Sequence, residues 1–434
     1  MSTTTARPLL GCIADDFTGA TDLASMLVRG GMRTVQSIGI PTGDSLAELD
    51  ADAIVIALKS RTTPAAEAIE ESLQALQWLR DRGCEQIFFK YCSTFDSTAK
   101  GNIGQVSEAL LQALGSDFTL ACPAFPENGR TIFRGHLFVQ DQLLNECGMQ
   151  NHPLTPMTDA NLVRVLQSQT EKKVGLLRYD SIAKGVEGVR ARIAELRADG
   201  VTMAIADALS DADLYTLGEA CADLPLLTGG SGLALGLPGN FRKAGKLRDI
   251  DAAQLEPVGG GEVVLAGSAS VATNGQVAAW LDAKRPALRI DPLALADGKP
   301  VVEEALAFAR DAGQTVLIYA TSSPDEVKAV QQKLGVERAG AMVEEALGKI
   351  AKGLLDSGVK RFVVAGGETS GAVVQALGVS LLKIGAQIDP GVPATISSGD
   401  QPLALALKSG NFGGRDFFDK ALKQLAGSVK GAAQ

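Results

Sequence analysis

Short apolar runs alternate along this chain with longer stretches whose apolar positions recur at helical spacing. In the first half the runs predict strands at Leu9–Ala14, Arg33–Ile38, Ala53–Leu58, Gln86–Lys90, Phe118–Cys122, Val174–Leu177 and Val201–Ala206. Helices are predicted between them at Gly19–Arg29, Ala65–Arg82, Ile103–Leu114, Asp159–Gln167 and Val186–Ala198. Strands separated by helices of this length indicate α/β units with a largely parallel sheet. The rhythm breaks at "GLPGNFRKAGKLRDIDAAQLEPVGGGE", from Gly236 to Glu262, where proline, charge and a triple glycine replace apolar periodicity. It then restarts with strands at Val263–Ala266, Val316–Ala320, Phe362–Ala365 and Ala404–Leu407. Helices there are predicted at Gly275–Ala283, Ala341–Ser357 and Ser370–Leu377. The expected organisation is two α/β domains, 1–240 and 262–434, joined by a linker at 241–261, with a ligand site in the cleft between them. No internal repeat or low-complexity tract stands out, and the final "GSVKGAAQ" reads as frayed.

Bulk numbers narrow the class. The 434 residues suit two or three domains, and 46% apolar with 21% charged residues is a globular composition. A net charge of −9 argues against a general nucleic-acid or anionic-membrane binder, so an anionic ligand would need a local cluster of Arg and Lys. The six cysteines form no CxxC pair and read as free thiols in a reducing compartment. The two histidines make a zinc site improbable. No stretch approaches the roughly 18 to 20 apolar residues of a membrane span, and Met1–Pro8 lacks a signal-peptide core. The expectation is a cytoplasmic protein with no membrane and no nucleic-acid partner.

Candidate chemistry collects where strands end, which is where ligands bind in parallel sheets. "ADDFTGATD" (14–22) places Asp15 and Asp16 beyond the first strand, either as functional carboxylates or as caps and turn formers. In "LKSRTTP" (58–64), Arg61 could grip a carboxylate bidentately or sit in an exposed loop before a helix beginning at Pro64. "FKYCSTFDSTAKGNIG" (89–104) ends a strand at Lys90 and follows it with Ser93, Asp96 and several further hydroxyls. That set suits a polyhydroxylated, negatively charged small molecule. His136, in "CPAFPENGRTIFRGHLFV" (122–139), alternates with apolar neighbours and reads as a hydrogen-bonded strand histidine.

In the second half, three glycine–hydroxyl junctions follow apolar runs: "AGSASVATNGQ" (266–276), "AGGETSG" (365–371) and "LKSGNFGGRD" (407–416). Each could present backbone N–H groups to phosphate oxygens, and three in one domain exceed what turns alone require. None matches GxxxxGK[ST] or a complete GxGxxG, which disfavours a P-loop enzyme and an ordinary dinucleotide dehydrogenase. Lys408 could neutralise phosphate charge. Glu368 could hold Mg2+ directly or through water, or simply stabilise its helix dipole.

Taken in order, "IADDFTGATDLA", "KYCSTFDSTAKGNIG", "PAFPENGRTIFRGHLFV", "GSASVATNGQV", "GGETSGAVVQALG" and "ALKSGNFGG" resemble the four-carbon acid sugar kinase family over nearly the whole chain. The likeness is greatest to its branch acting on 3-oxo-tetronates. Threonate and erythronate kinases share the framework. The resemblance implies an N-terminal domain for the sugar acid, a C-terminal domain for ATP, and phosphorylation of the terminal hydroxyl of a tetronate. It implies nucleotide contacts at Ser268, Ser270, Gly366, Gly367, Glu368, Thr369 and Gly410. For the substrate it points to Asp15, Asp16, Arg61 and the Lys90 segment with Ser93 and Asp96. Phosphoryl transfer calls for a carboxylate near the acceptor hydroxyl, and Asp16 is the expected base, with Mg2+ on the ATP phosphates. A sugar-acid dehydrogenase or a non-catalytic sugar-acid sensor are the rival readings, and self-association is left open.

Overall fold

The computed structural model describes residues 7–42, 50–152, 154–322 and 324–427. Met1–Ala6, and the tail beyond Gly427 that reads as frayed, lie outside these residues. The chain divides into two units, Met1–Ala253 and Gln254–Gln434. Both are α/β.

The strands of the first unit are β1 (Leu10–Ala14), β2 (Thr34–Ile38), β3 (Ala53–Ala57), β4 (Gln86–Lys90), β5 (Thr119–Cys122), β6 (Arg130–Phe133), β7 (His136–Val139), β8 (Gln142–Leu143), β9 (Lys173–Leu177), β10 (Val201–Ala206) and β11 (Leu226–Gly229). A parallel sheet runs in the order β2-β3-β1-β4-β11-β5-β10-β9. Its central strands are continuous apolar runs because helices cover both faces: β1 and β3 are buried throughout. The order places the carboxyl ends of β3, β1, β4 and β11 side by side. Ala14 lies opposite both Ala57 and Lys90, and Lys90 opposite Gly229. β6, β7 and β8 form a separate antiparallel sheet.

The second unit contains β12 (Gly261–Ala266), β13 (Ala287–Arg289), β14 (Val316–Tyr319), β15 (Val359–Ala365), β16 (Leu381–Asp389), β17 (Val392–Ser397) and β18 (Ala404–Lys408), in the order β13-β14-β12-β15-β18-β17-β16. Pairing is parallel from β13 to β18 and antiparallel from β18 to β16. Val264, Val363, Ala406, Trp280, Phe417 and Phe418 belong to one core cluster beneath this sheet.

Several elements differ from the sequence expectation. Pro238–Lys243 is a helix with Pro238 in its first turn, inside the stretch read as connection; proline is suited to that position because its missing N–H would have had no partner. The helix Asp211–Ala220 starts at a reciprocal cap between Ser210 and Asp213. Helix Val336–Asp356 begins earlier than the periodicity suggests. Helix Gly367–Ala376 begins directly at the double glycine, with Gly366 as cap, rather than at Ser370.

Candidate active site

In the first unit, Asp16 caps the helix Phe17–Arg29: its backbone is extended and its side chain accepts from the Gly19 N–H at 3.0 Å. The neighbouring Asp15 is buried, and its backbone N–H donates to the Lys90 carbonyl at 3.0 Å. Arg61, on the loop after β3, joins the two acids. Its Nε and Nη2 bond Asp15 at 2.8 and 2.9 Å, and Nη2 also bonds Asp16 at 2.6 Å. The Ser60 and Arg61 N–H groups donate to the Asp15 carbonyl, and Asn102 holds that loop by bonding the Ser60 and Thr63 carbonyls. This corrects one expectation. The bidentate fork of Arg61 is taken by Asp15, because the strand order puts the two loops together, so it is not free for a ligand carboxylate.

The two carboxyls are pushed apart. For Asp15, burial raises the pKa, but the Arg61 charge and hydrogen bonds, with Lys90, more than offset it and hold the group below the usual range. For Asp16, burial and the Asp15 charge outweigh Arg61 and Lys90, and its pKa is raised. One acid is thereby kept as an anion and its neighbour is made the better proton acceptor.

Lys90 closes β4 and is 4% exposed, yet among the described residues its ammonium has no hydrogen-bond or ion-pair partner. Its ammonium lies close to Gly19, where a Cβ would come within 2.3 Å of both Lys90 Nζ and Asp16 Oδ1 and would have to displace these side-chain ends. The following loop bends at Phe95, whose φ is +51°. Its Thr94 hydroxyl donates to Asp96 at 2.6 Å, and Ser93 is half-buried beside it. The loop packs near the cluster: the Cys92 thiol, raised to about 11 chiefly by burial, also feels the charges of Asp96, Arg61 and Lys90. His136 stays apart, bonded to Arg134 and Asn161. The six cysteines are free thiols.

In the second unit, the loops after β14, β12, β15 and β18 sit next to one another. Gly366 has φ +130°, a backbone state that a side chain would strain, and its N–H donates to the Lys408 carbonyl at 2.9 Å. The next N–H groups, of Gly367, Glu368 and Thr369, start the helix and have no acceptor among the described residues. The loops interlock closely. A Cβ on Gly267 would lie 2.2 Å from Thr369 Oγ1, and one on Gly410 would lie 2.3 Å from Ser268 Oγ. Ser270 caps the helix Val271–Asp282, accepting from Thr273 N–H, and donates its hydroxyl to the Gly410 carbonyl.

These loops border a cavity of about 300 Å³. Gly267, Ser268 and Gly366–Thr369 give it a polar lining, and Pro292, Ala320, Val330, Ala339 and Val343 an apolar one, with Ser322 and Glu344 also on its wall. The sequence reading missed the apolar wall, which comes from Pro292, the strand end at Ala320 and helices Pro324–Leu334 and Val336–Asp356. A planar base fits the apolar lining and phosphates fit the amides.

Lys408 departs from its expected phosphate-facing role. It is 1% exposed, and its ammonium donates to Thr273 Oγ1 at 2.9 Å and to the Ser409 and Gly410 carbonyls at 3.2 and 2.9 Å. An ammonium has three donors, so all are spent on the loops. Burial without a carboxylate partner pulls its pKa down to about 7. Glu368 is exposed in the first turn of its helix. No group of three His, Cys, Asp or Glu side chains among the described residues could cage a metal. A Mg2+ ion would therefore be held mainly by nucleotide phosphates, with Glu368 placed to contact it or its waters, which suits an ion that keeps much of its hydration. Among the described residues no helix is long and apolar enough to cross a membrane.

Known proteins share this arrangement. Residues 10–237 match a sugar-binding N-terminal domain and residues 263–418 a nucleotide-binding C-terminal domain. A Pseudomonas savastanoi pv. phaseolicola protein named 3-oxo-tetronate kinase is 86% identical over 429 residues, covering 99% of this chain and 100% of its own. A Brucella melitensis protein of the same name is 51% identical, covering 95% of each chain. A crystal structure of a Haemophilus influenzae protein, 47% identical, superposes with a TM-score of 0.83 over 96% of this chain and 100% of that one. With both domains matched in order and relatives this similar along their full lengths, the chain belongs to the four-carbon acid sugar kinase family.

Proposed function

We propose that this protein is an ATP-dependent kinase that phosphorylates the terminal hydroxyl of 3-oxo-tetronate. The observation that carries the reading is the row of unpaired N–H groups at Gly367, Glu368 and Thr369, opening onto a cavity with an apolar lining. The names of relatives at 70 to 86% identity support the choice of acceptor. In this reading residues 10–237 take the sugar acid and residues 263–418 take the nucleotide.

The chain's own groups divide the work. Amides at 367–369 and the Ser268 hydroxyl hold phosphate oxygens with fixed dipoles, which cost no reorganisation during transfer. Ser270 and Gly410 hold the facing loops in place, and Lys408 fixes both from below. In the acceptor unit Lys90 attracts the anionic substrate, and the remaining Nη1 of Arg61 can add a hydrogen bond. Ser93 and Asp96 are assigned to its hydroxyls. Asp16 accepts the proton of the terminal hydroxyl as the oxygen attacks phosphorus; Asp15 and Arg61 hold Asp16 in position. Mg2+, bound with ATP, would neutralise phosphate charge as the bond to the leaving ADP oxygen lengthens.

A coupled ADP-release assay with a panel of four-carbon acids tests this. ADP should form fastest with 3-oxo-tetronate, and only when an acceptor is present. Faster turnover of threonate or erythronate would reassign the acceptor, and no ADP with any acid would refute the kinase reading.

A further inference from the structure

The cavity beside Gly366–Thr369 carries an acid that the phosphate contacts leave unexplained. Glu344 stands on its wall, half-buried, on the helix Val336–Asp356. Ala339, Gly340 and Val343 line the cavity from the same helix, and helical spacing puts all four on one face. Leu347 continues that face down to the loop after β12: a Cβ on Gly267 would lie 3.1 Å from Leu347 Cδ1.

The helix thus serves as a ruler along the cavity. At about 1.5 Å per residue, Gly340 lies about 10 Å along the axis from Leu347, the level of the Gly267 loop. Helical side chains lean towards the N-terminus of their helix. Glu344 does so, since a Cβ on Gly340 would lie 3.7 Å from its Oε1. Its carboxylate is therefore displaced from Gly267 towards the turn at Gly340, beside the apolar residues Ala339 and Val343.

A carboxylate in a site for a polyanion is repelled by phosphate, so it needs neutral donors to face. In a nucleotide laid along this helix face, phosphates first, the next group is the ribose. Its two neighbouring hydroxyls offer two O–H donors, which match the two oxygens of a carboxylate and form charge-assisted bonds with it. Glu344 also has a contact within the protein. A carboxylate has about four acceptor positions, so that contact does not compete with a diol.

We infer that Glu344 accepts hydrogen bonds from the 2′- and 3′-hydroxyls of the ATP ribose and makes the site selective for ribonucleotides. The inference rests on the nucleotide occupying the second unit. It also assigns work to two acids of one cavity: Glu368 faces the phosphates and their Mg2+, and Glu344 faces the sugar.

The test is calorimetric titration of the full chain with Mg2+ and ADP, 2′-deoxyADP, 3′-deoxyADP or inosine diphosphate, for wild type, Glu344→Ala and Glu344→Gln. The wild type should bind at least one deoxy form about 10- to 100-fold more weakly than ADP, the loss expected for a hydrogen bond to a charged group. Glu344→Ala should bind ADP and both deoxy forms within about threefold of one another. Each ratio is taken on one protein, so a modest change in stability does not enter it. If Glu344→Ala folds poorly, Glu344→Gln decides, and its ratio should fall below that of the wild type. Equal wild-type affinity for ADP and both deoxy forms overturns the inference, as does a wild-type ratio retained in the variants. A change confined to the ratio of ADP to inosine diphosphate would put Glu344 on the base and overturn it too. In all three cases tight ADP binding leaves the kinase reading standing, whereas no ADP binding by the wild type overturns both.

Discussion

Arg61→Ala separates a clamp from a substrate grip. Arg61 makes three charge-assisted hydrogen bonds to two carboxylates, of which the Asp15 side chain is 6% exposed. Removing one partner of a buried ion pair typically costs about 3 to 5 kcal/mol. Here Lys90 remains nearby, and the Asp16 side chain is 29% exposed, which puts the expected loss at the lower end, about 3 kcal/mol. At roughly 2 to 4 °C per kcal/mol for a domain of this size, the first unit should melt about 6 to 12 °C lower. The loss should depend on pH. In the wild type, Asp15 is held below its unfolded pKa, so its contribution is complete at neutral pH and fades only as pH falls through the folded value. Without Arg61, burial dominates and the folded pKa of Asp15 rises above the unfolded one. The variant then loses stability as pH climbs from about 4 through that raised value. The gap between the proteins should therefore be widest near pH 7.5 and narrow towards pH 4.5. Urea and thermal melts at both pH values measure it. Melting within about 2 °C of wild type at pH 7.5, with a raised acceptor KM, would show that Arg61 is a grip and the clamp argument is wrong.

Asp16→Asn keeps a side-chain oxygen for the Gly19 N–H, so the helix cap should survive while kcat falls about 10²- to 10⁴-fold; steady-state kinetics beside a melting curve check this. Gly410→Ala drives a Cβ into Ser268 Oγ and should weaken ATP binding by about tenfold or more with little change in acceptor KM, read by calorimetry and kinetics. Lys408 has a folded pKa of about 7 against 10.5 when exposed, so the unfolded chain binds the extra proton between those values. Wild-type stability should rise from pH 7 to pH 9 by up to about 1.4 kcal/mol per pH unit relative to Lys408→Met, as urea titrations would show.

The sequence was most legible where one local rule decided the outcome. β1, β4 and β10 follow from continuous apolar runs, and the glycine junctions at 366 and 410 follow from the close approach they permit. It was less legible where a partner distant in sequence decides. The fork of Arg61 looks free until the strand order places it against Asp15, forty-six residues away. Lys408 looks like a phosphate ligand until Thr273, on the helix capped by Ser270, and the Ser409 and Gly410 carbonyls take up its donors. The hairpin of β16 and β17 carries a local signal in Pro390-Gly391, with Gly391 at φ +76°, but the mixed burial of the long β16 hid it.

The central claim is that the second unit holds the triphosphate on main-chain amides. A crystal structure of the full chain with a non-hydrolysable ATP analogue and Mg2+ tests it most directly. The account predicts phosphate oxygens on the N–H groups of Gly367–Thr369 and the base between Val330 and Val343. A nucleotide seated among Asp15, Arg61 and Lys90, or phosphates lying away from residues 366–369, would contradict it.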